Sequence, residues 1–196
     1  MKVIVNIIDI TSLEEYFKIK RGNQLKKIAR KNIFNGKIIN VFCDDVELED
    51  GTKTIREVVA HKEGVAVVAI NEKKEILLVS QYRYPIGKDL IELPAGLIDE
   101  GETPLDAAKR ELKEETGYEA KEWESLLSTY SSPGWQDEII HIFLAEKLTH
   151  VSEQCLDGDE RLTYFKAPFD DILKKVKEGE IKDSKTIIGI LLYENI

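Results

Sequence analysis

Apolar and polar positions alternate with a period of two over residues 33–46, broken at Asn35-Gly36, and again over residues 54–60 after Asp50-Gly51. Alternation puts every second side chain on one face of a strand, and Asn-Gly and Asp-Gly favour tight hairpin turns. A small antiparallel sheet is predicted there. Residues 65–70 and 75–81 are short apolar strands joined by Asn71-Glu72-Lys73-Lys74, and residues 90–93 form another that stops at Pro94. Residues 103–116 change to a helical period, with Thr103 as cap, Pro104 in the first turn and Gly117 just past the last. Strand-like patterns return at residues 119–129, 138–146 and 161–165, and helices are expected at 169–178 and 184–193. A further helix near residues 12–20 is suggested by Ser12 and Glu15, which resemble a capping box. The order predicts an α/β fold: a mixed sheet flanked by helices, preceded by a small N-terminal antiparallel β-sheet. We expect residues 1–60 to form a basic arm with that small sheet, and 61–196 the main domain.

Composition narrows the classes. A chain of 196 residues, 42% hydrophobic and 33% charged, suits one sizeable core. No apolar run approaches the roughly 20 residues needed to span a bilayer, which argues against a membrane partner. Cys43 and Cys155 show neither disulfide-scaffold nor zinc-ligand spacing. The apolar stretch after Lys2 is too short for a secretory signal, so a cytoplasmic protein is expected. The net charge of -9 argues against nucleic acid as a partner. That charge is unevenly spread: residues 1–40 carry nine basic and three acidic side chains, whereas residues 96–118 carry seven acidic against three basic, and 146–160 five against one.

The acidic helix gives the average a meaning. Glu111, Glu114 and Glu115 are spaced i, i+3 and i+4, within roughly a 100° arc of one face. Leu105, Ala108 and Leu112 form the adjacent face toward the sheet, with Lys109 and Lys113 on the far side, so the glutamates should flank the buried edge. Like charges at this spacing repel, and a helix C-terminus disfavours anions. A hard divalent cation reverses that cost, because it takes oxygen ligands and completes its shell with water and substrate phosphate. An exposed acidic helix end is the other reading of the same residues. Glu102 fits either first-turn capping, an ion pair with Arg110, or a metal role.

Gly96, Glu102, Arg110-Glu111-Leu112, Glu114-Glu115 and Gly117-Tyr118 together match the Nudix box, with Tyr118 standing at the last aliphatic place. The chain thus resembles the Nudix hydrolases, which implies an α/β/α sandwich that cleaves a nucleoside diphosphate linked to another group, using Mg²⁺ or alternatively Mn²⁺. Flanking runs, Gln81-Tyr82-Arg83-Tyr84-Pro85, Ile91-Glu92-Leu93-Pro94-Ala95, Arg56-Glu57-Val58-Val59 and Gly64-Val65-Ala66-Val67, resemble the ADP-ribose pyrophosphatase branch. So does Pro133, sixteen residues beyond Gly117. The resemblance covers about residues 46–148 and implies hydrolysis of ADP-ribose to AMP and ribose 5-phosphate by a homodimer that exchanges its N-terminal sheet.

It also implies roles. Glu111 and Glu115 would be the main metal ligands, Glu114 a further ligand or a neighbour of one, and the Ala95 carbonyl a contact from the loop. Arg110 would orient the glutamates. Arg83 is a diphosphate contact or half of a surface ion pair, and Glu92 and Glu138 meet ribose hydroxyls, assist the metal, or lie exposed at strand edges. Trp135, in the loop with Pro133, stacks on adenine or packs that loop, and Arg56 reaches a ligand across a dimer interface. The general base of the branch lies in a late acidic loop, here residues 153–160, with Glu160 the first choice and Glu153 the second. The histidines His61, His141 and His150 are assigned no catalysis. Two alternatives stand beside ADP-ribose: another nucleotide sugar or dinucleotide such as GDP-mannose or NADH, and a nucleotide-sensing module without turnover.

Overall fold

A computed structural model describes residues 25–156, 158 and 161–196. The helix expected at residues 12–20 and the favoured base Glu160 lie outside the described residues. Among the described residues, 25–35 and 40–58 form one compact unit, and residues 36–39 group with those from Val59 onward in the other.

The first unit holds a three-stranded sheet in the order β1-β2-β3, from β1 (Lys26–Asn35), β2 (Ile39–Glu47) and β3 (Lys53–His61), the last of which runs on into the second unit. β1 and β2 are antiparallel, as the Asn-Gly turn demands. Arg30 grips Asp44 on the neighbouring strand with two bonds of 2.7 Å, and its guanidinium lies 4.4 Å from the centre of the Phe42 ring. Ile28, Ile33, Phe34 and Ile55 remain exposed on this sheet.

The second unit is built on a seven-stranded mixed sheet. Its strands are β4 (Gly64–Ile70), β5 (Glu75–Arg83), β6 (Lys88–Glu92), β7 (Ala95–Leu97), β8 (Tyr118–Tyr130), β9 (Ile139–His150) and β10 (Leu162–Pro168). The path is β10-β5-β4-β9-β8, with β6 added to β5 and β7 to β4; β4 and β9 run parallel, whereas β4 with β5 and β7, β5 with β6 and β10, and β8 with β9 are antiparallel. β4 is buried along its whole length. That explains its unbroken apolar run, since a strand covered on both faces has no polar side to show.

Helix α1 (Pro104–Thr116) covers one face, packing Ala107, Ala108 and Leu112 against Val65, Val67, Leu77 and Phe143. On the other face, α2 (Phe169–Lys177) and α3 (Ser184–Tyr193) bring Ile172, Val176 and Ile190 against Val68, Leu78 and Ile142. The result is the expected α/β/α sandwich. β7 is one element that the pattern did not predict, because three residues following a proline carry too little periodicity. Among the described residues, no helix is long and apolar enough to cross a membrane.

Candidate active site

The site grows from the two ends of α1. Thr103 caps its start by accepting the Asp106 N–H, and Gly117 ends it in a left-handed conformation at φ 74°. A Cβ at Gly117 would lie 1.9 Å from the Ser152 carbonyl oxygen, so the chain turns here through a space only glycine fits. The residues after β9 then close over the helix end. Val151 N–H donates to the Gly117 carbonyl at 2.8 Å, Cys155 N–H to that of Glu114 at 2.9 Å, and the Gln154 side-chain amide to that of Glu115. Carbonyls left open by the last turn are thereby paired.

Glu111 and Glu115 do not flank the buried edge, as the helical spacing suggested, but lie within it: Glu115 is 1% exposed and Glu111 9%. The stripe facing the sheet is wider than the apolar residues alone define, because the short β7 backbone sits opposite the glutamates and leaves polar groups to meet them. Ala95 N–H donates to Glu115 Oε2 at 2.9 Å. Gly96 abuts Glu111 so closely that a Cβ there would stand 2.0 Å from its Oε1. Glu114 is the most open of the three.

Arg110 ties the acids together. It donates to both Glu102 oxygens at 3.0 Å, to Glu111 Oε1 at 2.7 Å, to Glu114 Oε2 at 3.1 Å and to the Leu97 carbonyl at 2.9 Å. The bonds that Arg110 donates to Glu102, more than those to Glu111 and Glu114, raise its pKa against the opposing effect of burial, and Arg110 in turn holds Glu102 below the usual carboxylate range. Glu102 therefore acts as an anchor for Arg110 in this structure.

Arg83 and Glu92 meet each other. Nε and Nη2 of Arg83 donate to the two Glu92 oxygens at 2.6 Å, and Lys185 of α3 bonds the same carboxylate. Glu92 is 1% exposed, which removes strand-edge exposure from the readings of this residue, and the Arg83 and Lys185 cations make that burial tolerable. Burial pushes the Glu92 carboxyl up, but the Arg83 fork and the Lys185 charge outweigh it and hold it below the ordinary range. The Arg83 guanidinium is 38% exposed in its side chain, open toward solvent beyond Glu92.

The loop with Pro133 and Trp135 is fastened elsewhere. Val59 N–H donates to the Trp135 carbonyl at 2.8 Å, His61 N–H to Asp137 Oδ1 at 3.0 Å, and Glu138 stands 3.2 Å from His61 Nδ1. Pro133 and Trp135 are exposed. Arg56, exposed in the first unit, donates to the neighbouring Ile55 carbonyl. Glu153 is exposed. The structure thus brings Ala95, Glu111, Glu115 and, through Arg110, Glu114 into one cluster, and joins Arg83 to Glu92. Asp183, Lys185 and Thr186 escaped the sequence reading. Asp183 and Thr186 have the spacing of a helix cap, but nothing local reveals that Thr186 reaches Leu93.

The cluster's fit to a cation rests on its donors. Among the described residues no three His, Cys, Asp or Glu side chains are gathered as a metal cage. Mg²⁺ does not require one, since it commonly takes one or two carboxylates, waters and substrate phosphate oxygens. Two buried carboxylates beside a backbone turn provide hard oxygen donors of that kind. They fit.

Comparison with known proteins gives the following. A family model described as NUDIX domain matches residues 60–187. The chain is 43% identical over 166 residues to a Bacillus subtilis protein named ADP-ribose pyrophosphatase, covering 84% of this chain and 90% of that one. The same identity, length and coverages relate it to a Bacillus methanolicus protein named Methanol dehydrogenase activator. A solved structure titled as an ADP compounds hydrolase superposes with a TM-score of 0.80 at 22% identity, covering 90% of this chain and 96% of the other, which supports the fold.

Proposed function

Since the chain belongs to the Nudix family, we propose that it is a metal-dependent hydrolase that converts ADP-ribose and water to AMP and ribose 5-phosphate. The observation that carries this reading is the pair of buried carboxylates, Glu111 and Glu115, set against the Ala95-Gly96 backbone. Burying two acids on one helix face is costly in an isolated fold and useful to an enzyme that handles a diphosphate through a cation.

Mg²⁺, or Mn²⁺ in its place, would be held by Glu111, Glu115 and the Ala95 carbonyl with Glu114 beside them, and supplies a Lewis acid that offsets charge on the diphosphate. The remaining work falls to the chain. Ala95 N–H holds Glu115 by Oε2, and Arg110 orients Glu111 and Glu114. Arg83 offers phosphate a guanidinium, and Lys185 keeps Glu92 compensated when Arg83 turns outward. Glu92 and Glu138 serve the ribose side, and Trp135, next to Pro133, stacks on adenine. Glu160, with Glu153 as the second choice, removes the proton from the attacking water. Arg56 reaches substrate from a second copy of the chain in a homodimer, a reading supported by the exposed Ile28, Ile33, Phe34 and Ile55. We place the protein in the cytoplasm, consistent with the free thiols of Cys43 and Cys155.

The test is turnover of ADP-ribose, GDP-mannose and NADH side by side with Mg²⁺ or Mn²⁺, with products separated by chromatography. AMP and ribose 5-phosphate should form fastest from ADP-ribose and cease on chelation. Glu115→Gln should lower turnover by about a thousandfold, several kcal/mol of lost stabilisation, while circular dichroism stays unchanged. Preference for another compound overturns the substrate, and near-normal activity in the variant overturns the metal assignment. The equal likeness to a dehydrogenase activator makes the panel necessary: no turnover of any compound favours a regulator.

A further inference from the structure

The last helix takes hold of the loop that carries Ala95. Asp183 caps α3, accepting the Thr186 N–H at 3.0 Å and the Thr186 hydroxyl at 2.6 Å through the same Oδ2. Because that hydroxyl donates to Asp183, its oxygen is left to accept, and Leu93 N–H donates to it at 2.8 Å. Thr186 and Leu93 are both 0% exposed. Leu93 follows the last residue of β6, where the sheet ladder ends, so its amide requires an acceptor from outside the sheet.

Each of the next two residues is fixed by a different element. The Pro94 carbonyl accepts Val67 N–H from β4 at 2.9 Å, and Ala95 N–H donates to Glu115 of α1 at 2.9 Å. Three consecutive residues are therefore pinned from α3, β4 and α1. Lys185, beside Thr186, adds its bonds to Glu92 and Asp183. One turn later Gly189 lies flush with the same loop, where a Cβ would come 2.8 Å from Leu93 Cδ1.

We propose that Thr186 is a positioning residue of this site: its hydroxyl, held by Asp183, sets the Leu93-Pro94-Ala95 backbone and through it the Ala95 carbonyl and the Glu115 carboxylate. The inference rests on reading Ala95, Glu111 and Glu115 as the cation site. Side chains that orient metal-binding groups commonly change affinity or activity by 10–100-fold when removed. The effect should appear in kcat and in cation binding, because Thr186 has no contact to offer a substrate.

Thr186→Val keeps the shape and removes the hydroxyl, whereas Thr186→Ser keeps the hydroxyl. With ADP-ribose, the valine variant should lose about 10–100-fold in kcat with KM changed by less than about threefold. Its affinity for Mn²⁺ alone, followed by electron paramagnetic resonance without substrate, should fall about tenfold, and its Leu93 amide should exchange faster. The serine variant should stay within about threefold of wild type in every measure. Valine values within about twofold of wild type, or a serine variant as impaired as valine, overturn the proposal. If the valine variant does not fold, Thr186→Cys, with its poor acceptor, is judged by the same criteria. A wild-type protein that binds Mn²⁺ but turns over no nucleotide sinks only the proposed activity, and the Mn²⁺ and exchange data still decide the role of Thr186. One that binds no Mn²⁺ overturns both.

Discussion

At the scale of single residues, Gly96 separates stability from activity. An added methyl there would meet the far end of the Glu111 side chain, which can swing away and surrender its bond to Arg110. Gly96→Ala should therefore cost about 1.5–3 kcal/mol of unfolding free energy, one charged hydrogen bond, while turnover falls by about 10–100-fold. Urea unfolding and a rate assay on the same sample check both. Glu92 gives a pH signature. Its native pKa is lowered, so its stabilisation is complete above the ordinary glutamate value of 4.5 and is lost as pH falls through the lowered value. Glu92→Gln should be less stable at pH 7 by about 1–3 kcal/mol, discounted from a wholly buried pair because Arg83 is partly exposed. The gap should shrink on acidification; a constant gap down to about pH 3 would mean that Glu92 is not held as a native carboxylate. The motif residues were legible as types and spacings. Their burial was not, since it depends on a backbone segment brought from elsewhere.

At the scale of elements, α1 was readable almost to the residue because its ends are written in local chemistry: threonine cap, proline, glycine terminator. Its C-terminal closure was not, because Val151, Gln154 and Cys155 come from beyond two strands. Gly117→Ala tests that closure. The strained φ and the collision with Ser152 should cost about 2 kcal/mol or more, and amides of residues 151–155 should exchange faster than those of β4 change. Equal stability would show that the segment does not press on the helix end. The small β7 marks the opposite case: it exists because Ala95, Gly96 and Leu97 pair with Ala66, Val65 and Gly64, and its sequence alone has no strand period.

At the scale of the whole molecule, the sandwich followed from the order of predicted elements, while the parallel placement of β4 beside β9 did not. Their partners Gly64 and Ile140 are distant in sequence, and no local pattern encodes a pairing of that range. Assembly between copies is open to measurement at this scale. The wild type should elute with the mass of two chains by light scattering, and Ile33→Asp with Phe34→Asp should reduce it to one, since buried charges at an apolar contact are costly. A single-chain mass for the wild type at micromolar concentration removes the shared-site role of Arg56.

The Leu93–Thr186 bond also has a consequence for synthesis. A ribosome releases Glu111, Glu114 and Glu115 of α1 long before residue 186, so the growing chain carries all three while the Leu93 amide still lacks its acceptor. The strands of the sheet and the charged helix are thus made before the grip on their loop.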